Sequence, residues 1–120
     1  MTVLIVSSHP DDMEFMMGGT ALLLKDAGCV IHHINVANGC VGSADLRPRQ
    51  IAAVRRKEAM RSAALLGSVL HESLVGDLEV FYTQKLIRRI TGLVRTVRPD
   101  IVLTLSLEDY MEDHMNTARL

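Results

Sequence analysis

Short β-branched apolar runs alternate with longer helix-like segments along this chain, and that alternation leaves few folds open. Thr2 to Ser8 reads as a first strand, Cys29 to Ala37 as a second, Val69 to Val75 as a third and Ile101 to Leu105 as a fourth. Helix-like runs stand between them. Met16 to Ala27 is stopped by Gly28, and Pro48 to Leu66 is closed by Gly67. In Gln84 to Val97, residues Leu86, Ile90, Leu93 and Val97 share one face. Parallel strands need a crossover long enough to hold a helix, so this order predicts βαβ units and an α/β fold with a mainly parallel sheet. A polar loop, Ser106 to Asp113, follows the fourth strand, and Leu120 falls just inside another helix. Such a sheet would leave an apolar edge. The expectation is a fold truncated at its C-terminus, or a protomer of a homo-oligomer whose partner covers the gap.

A chain of 120 residues suffices for one domain with one modest core. Its 13 basic and 14 acidic residues give a formal charge of −1, so no broad electrostatic pull toward nucleic acid or anionic membrane is expected. The aromatic rings are few (Phe15, Phe81, Tyr82 and Tyr110, with no Trp), which argues against a base-stacking platform. No apolar run approaches the ~20 residues that span a bilayer, and the N-terminus lacks the basic stretch of a signal peptide. Cys29 and Cys40 do not form a C-x-x-C pair and read as reduced thiols of a cytoplasmic protein.

Chemistry concentrates at His9-Pro10-Asp11-Asp12, between the first strand and Gly18-Gly19-Thr20. In parallel sheets ligands bind outside the carboxyl ends of the strands. His114 lies just beyond the fourth strand, so both segments are expected on the same edge of the sheet. Two imidazoles and a carboxylate with one open position match a catalytic zinc centre of the type that activates a water. Asp11 would then stay free as general base. No G-x-S-x-G and no Cys–His pair offers a competing nucleophile. The plainer alternative stands beside this one: Asp11 and Asp12 cap a helix and favour its dipole, and His9 and His114 are structural. Arg55 and Glu58, three apart on a helix, read first as a solvent-facing ion pair. His32, His33 and His71 read as structural, and Met13, Met16 and Met17 as packing. Gly39 and Gly42 make only a weak phosphate-loop signal, and Cys40 is a lesser alternative as a fourth ligand.

The S-H-P-D-D run with its following G-G-T resembles the LmbE-like (PIG-L) family of zinc-dependent N-acetylglucosaminyl deacetylases. Further matches come in order: Arg55-Arg56-Lys57-Glu58 with Ala63-Ala64-Leu65-Leu66-Gly67, then Gly76-Asp77, Arg98-Pro99-Asp100-Ile101-Val102 and Asp113-His114. The resemblance implies a Rossmann-like three-layer sandwich in which residues 1–120 form one incomplete deacetylase domain. It implies Zn2+, or another divalent ion, held by His9, Asp12 and His114, with Asp11 as the base. It also implies an amino-sugar substrate carrying an N-acetyl group, met by Arg55 and, nearby, Asp77. Two positions depart from the pattern. Met13 stands where the family often has Glu. Met111 stands three before His114, where many members carry a His that stabilises the oxyanion or protonates the leaving amine. Methionine can do neither; Tyr110 is a candidate replacement donor, and Asp109 could instead orient a ligand. Met111 therefore keeps a second function open, a non-catalytic metal-containing sugar-binding module. A third, a phospho-receiver with Asp77 as acceptor, lacks the late Lys such a domain needs.

Overall fold

The computed structural model describes residues 1–120. Strands β1 (Thr2–Ser7), β2 (Val30–Asn35), β3 (Val69–Leu70) and β4 (Ile101–Thr104) form one parallel sheet in the order β3-β2-β1-β4. Helices α1 (Gly18–Asp26), α2 (Pro48–Leu66) and α3 (Gln84–Val97) connect them, and α4 (Glu112–Arg119) follows β4. Central β1 is buried from Val3 onward, and its side-chain alternation divides the core in two. Leu4 and Val6 pack with Ile34, Leu86 and Ile90 under α3. Val3 and Ile5 pack with Ile31, Ala21 and Leu66 beneath α1 and α2. Helices thus cover both faces, giving the three layers expected. Each such buried aliphatic side chain contributes roughly 1.5–3 kcal/mol. β4 lies at the sheet edge with Val102 half-exposed.

The strand order fixes where a site can form. From β1 the chain moves to one side through β2 and β3, then returns to β1's other side as β4. The crevice beyond the carboxyl ends of β1 and β4 is the topological switch point. The segments entering it are residues 8–12 and 105–114.

Two elements differ from the sequence expectation. The third strand is only Val69–Leu70, with one further bridge between Ala37 and Val75. Between them the His71 amide still donates to the His33 carbonyl of β2, while the His71 carbonyl accepts from Arg56 of α2 and Glu72 pairs with Arg56, so the ladder is not continued through this stretch. The first helix also begins earlier than Met16. A π-helical turn, Met13–Met17, precedes α1, and the Phe15 amide donates to the Asp11 carbonyl at 2.9 Å. Such turns often mark functional sites.

His33 on β2 is fully buried; its Nδ1 lies 3.2 Å from Ser68 Oγ, and its Nε2 has no partner. Burial holds its pKa below the usual 6.5. The unfolded chain therefore takes up a proton near pH 6.5 that the folded protein refuses, so stability falls with pH below that point. For one such group the loss from pH 7 to pH 5 is at most about 2 kcal/mol. Urea titrations at the two pH values should show a smaller drop for His33→Gln than for the unaltered protein.

Candidate metal centre

Asp12 directly follows the sharp turn that leaves β1. Its carboxylate does not cap the following turn. Asp12 Oδ2 instead reaches back and accepts from the amides of Ser8 (3.1 Å) and His9 (2.7 Å). That geometry displaces the helix-capping alternative for Asp12. It also leaves Oδ1 facing the crevice, 3.3 Å from His114 Nε2.

Each imidazole is held from behind by a carboxylate. His9 Nε2 donates to Asp113 Oδ2 at 2.9 Å, and His114 Nδ1 donates to Asp109 Oδ2 at 3.1 Å. A carboxylate partner fixes the ring orientation and holds the proton on the nitrogen it meets, so the opposite nitrogen of each ring is the one that would face an ion once its own proton is displaced. These are His9 Nδ1, 3.7 Å from Asp12 Oδ2, and His114 Nε2. The ring centroids are 5.5 Å apart. One ligand atom each from His9, Asp12 and His114 falls within 4.8 Å of the others, close enough to share one ion. Two nitrogens and one oxygen, each oriented by an outer partner, suit zinc or another borderline divalent metal.

The electrostatics agree with a cation-seeking cage. Burial disfavours charge on His9, but its hydrogen bonds to Asp12 and Asp113 and the charges of Asp12 and Asp77 outweigh this and raise it to about 9. Burial likewise pushes Asp12 up, yet the His9 ring, the His9 amide and the His114 charge hold its carboxyl below the usual range. The Met111 amide, with help from His114, lowers Asp109.

The remaining sequence candidates line one cavity of about 430 Å³ with the triad: Asp11, Arg55, Asp77, Tyr110 and Met111. Asp11 stands beside the triad without joining it, its side chain half-exposed and 2.6 Å from Arg55 Nη2. Arg55 also donates to the Pro10 carbonyl. Asp77 accepts from the amides of Gly39 (2.6 Å) and Val41 (2.8 Å), so both its oxygens anchor the loop after β2. Tyr110 is highly exposed at the rim, its ring 6.0 Å edge-on from His114. Cys40 is not among the grouped donors; its Sγ accepts from the Asp77 amide at 3.3 Å.

Sequence reasoning passed over Asp113. Besides orienting His9, it accepts from the Leu78 amide at 2.8 Å and so ties α4 to the segment before α3. The available signal was the Asp-His pair itself. Adjacent residues at a helix start point about 100° apart, so one can ligate while the other braces a second ligand.

The chain is 35% identical over 104 residues to the diacetylchitobiose deacetylase of Thermococcus kodakarensis, covering 84% of this chain and 39% of that protein. It is 28% identical over 121 residues to the 4-oxalmesaconate hydratase of Pseudomonas putida, covering 94% of this chain and 47% of that protein. The solved N,N'-diacetylchitobiose deacetylase from Pyrococcus horikoshii matches with a TM-score of 0.92 at 31% identity, over 98% of this chain and 46% of that one. The chain spans less than half the length of each of these relatives. A family model for the GlcNAc-PI de-N-acetylases matches residues 4–120, from the first buried strand through the last helix. Deacetylases and a hydratase are among the relatives it resembles, and on the extent of the family match the chain belongs to the PIG-L family.

Proposed function

We propose that residues 1–120 form the metal-and-base part of a hydrolase domain that removes an N-acetyl group from N-acetylglucosamine or a related amino-sugar conjugate. The observation carrying this reading is the convergence of His9, Asp12 and His114 from two loops, with Asp11 left outside the cluster. His9, Asp12 and His114 would hold zinc or another divalent ion. When bound, such an ion lowers the pKa of a water to about 7 and polarises a carbonyl. Asp11 takes the proton of the attacking water as general base and carries it toward the departing amine. The Tyr110 hydroxyl is the donor available at the rim for the developing oxyanion or for the sugar. Phe15, Met16, Val41 and Met111 add apolar surface to the lining of the cavity. The two unpaired thiols, Cys29 and Cys40, fit a reducing, cytoplasmic setting.

Met111 favours a second reading. Amide hydrolysis must protonate a leaving amine, whereas adding water across an activated carbon–carbon double bond expels none, and a hydratase is among the relatives. The test is acetate release from N,N'-diacetylchitobiose by the zinc-loaded protein. Release that a chelator stops and zinc restores is the expected result. Zinc and sugar binding without release would favour the non-catalytic module. Hydration of an unsaturated dicarboxylate in its place would favour the second reading.

A further inference from the structure

Asp11 carries the most strained backbone of the candidate site. Its φ of +131° is unfavourable for any residue with a Cβ. Such a conformation persists only where surrounding contacts over-determine it; the Phe15 amide holds the Asp11 carbonyl from the following turn, and the contacts on the other side come from one side chain. Arg55 reaches from α2, places Nη2 2.6 Å from Asp11 Oδ2 and donates to the Pro10 carbonyl. One guanidinium nitrogen, Nη2, therefore meets both the peptide that enters Asp11 and its carboxylate, and the planar group holds that nitrogen's N–H directions fixed.

The path of the Arg55 arm is itself built. A Cβ on Gly39 would lie 2.6 Å from Arg55 Cδ, and one on Gly42 would lie 2.5 Å from Nη1. The arm passes where only glycines allow it. The loop bearing those glycines is pinned by the Asp77 carboxylate at the Gly39 and Val41 amides. The glycine pattern that suggested a phosphate loop has this use instead. Arg55 is also largely enclosed, its side chain 17% exposed, with Nη2 already committed to the protein.

We propose that Arg55 is a positioning residue: threaded between Gly39 and Gly42, it locks Asp11 in its strained backbone and aims the carboxylate at the metal crevice. The catalytic consequence rests on the hydrolase reading above, while the lock itself does not. Arg55→Ala, Arg55→Lys and Gly42→Ala test it in the zinc-loaded protein. Gly42 has no positive φ, so alanine is tolerated by the backbone and its methyl displaces the arm without changing charge. Amide hydrogen exchange across residues 11–15 should accelerate by about tenfold or more in Arg55→Ala and Gly42→Ala, because local opening becomes easier. In Arg55→Ala, kcat for acetate release should fall about a hundredfold, the scale of an ångström-sized misplacement. KM and zinc affinity should stay within about threefold. Arg55→Lys should recover part of kcat, since an ammonium has donors for both the Pro10 carbonyl and the Asp11 carboxylate but sits on a shorter, more flexible stem. Unchanged exchange across residues 11–15 in both Arg55→Ala and Gly42→Ala overturns the lock. A raised KM with intact kcat would make Arg55 a sugar contact and overturn the positioning role. If the unaltered protein releases no acetate, the hydrolase reading fails, and the exchange data still decide the lock.

Discussion

Asp11→Asn is expected to lower acetate release by about 10²- to 10⁴-fold in kcat, the usual contribution of a positioned general base. That range corresponds to about 3–5 kcal/mol of barrier. The substitution keeps the size of the side chain and an oxygen for Arg55. Asparagine has the same Cβ and branching as aspartate and adds no new backbone clash, so the strained turn is kept. What disappears is the ability to accept a proton from water. Asp11 lies outside the His9, Asp12 and His114 cluster, so zinc content should match that of the unaltered protein. Metal analysis beside steady-state acetate release checks both halves, and turnover near the normal rate would remove Asp11 from the mechanism.

His114→Ala should act in the opposite way, through the metal. Mutating an outer partner of a ligand typically weakens metal binding 10- to 100-fold, and deleting a ligand should exceed about 100-fold. His114 is almost fully buried, between Asp12 on one nitrogen and Asp109 on the other. Its removal leaves two carboxylates facing a void, so some loss of melting temperature should accompany the loss of zinc. Competition against a chromophoric chelator measures the affinity. Retention of normal zinc affinity by His114→Ala would mean that the ion is held elsewhere.

The layers of this fold were legible because burial leaves a periodic record. β1 alternates between two cores, and α3 turns Leu86 and Ile90 inward, as their spacing anticipated. The α2 boundaries were equally readable: Pro48 opens the helix, and Gly67 closes it at a φ of +68°. Local features with no period were not. The π-helical turn follows directly on Asp11 and Asp12, and the stretch after β3 divides its bonds between β2 and Arg56, thirteen or more positions away. At the site, the residues that would touch an ion or a water were visible as residue types at strand ends. The Asp113 brace and the Arg55 passage depend on side chains meeting across the fold, which no local pattern encodes. The capping alternative for Asp12 yielded to a detail of that kind, a carboxylate turned backward onto Ser8 and His9.

The contact between His9 and Asp113 joins residues 104 positions apart. An ion gripping both loops would act on the unfolded polypeptide as a clasp that closes the segment between them into a ring of about a hundred residues. Loop-closure entropy rises with the logarithm of the enclosed length, so few places in the chain would repay closure more. Binding free energy at such a place becomes folding free energy. The reagent of the chemistry would then also be the fastener of the architecture, and starving the protein of metal would loosen the two joined loops together with its activity.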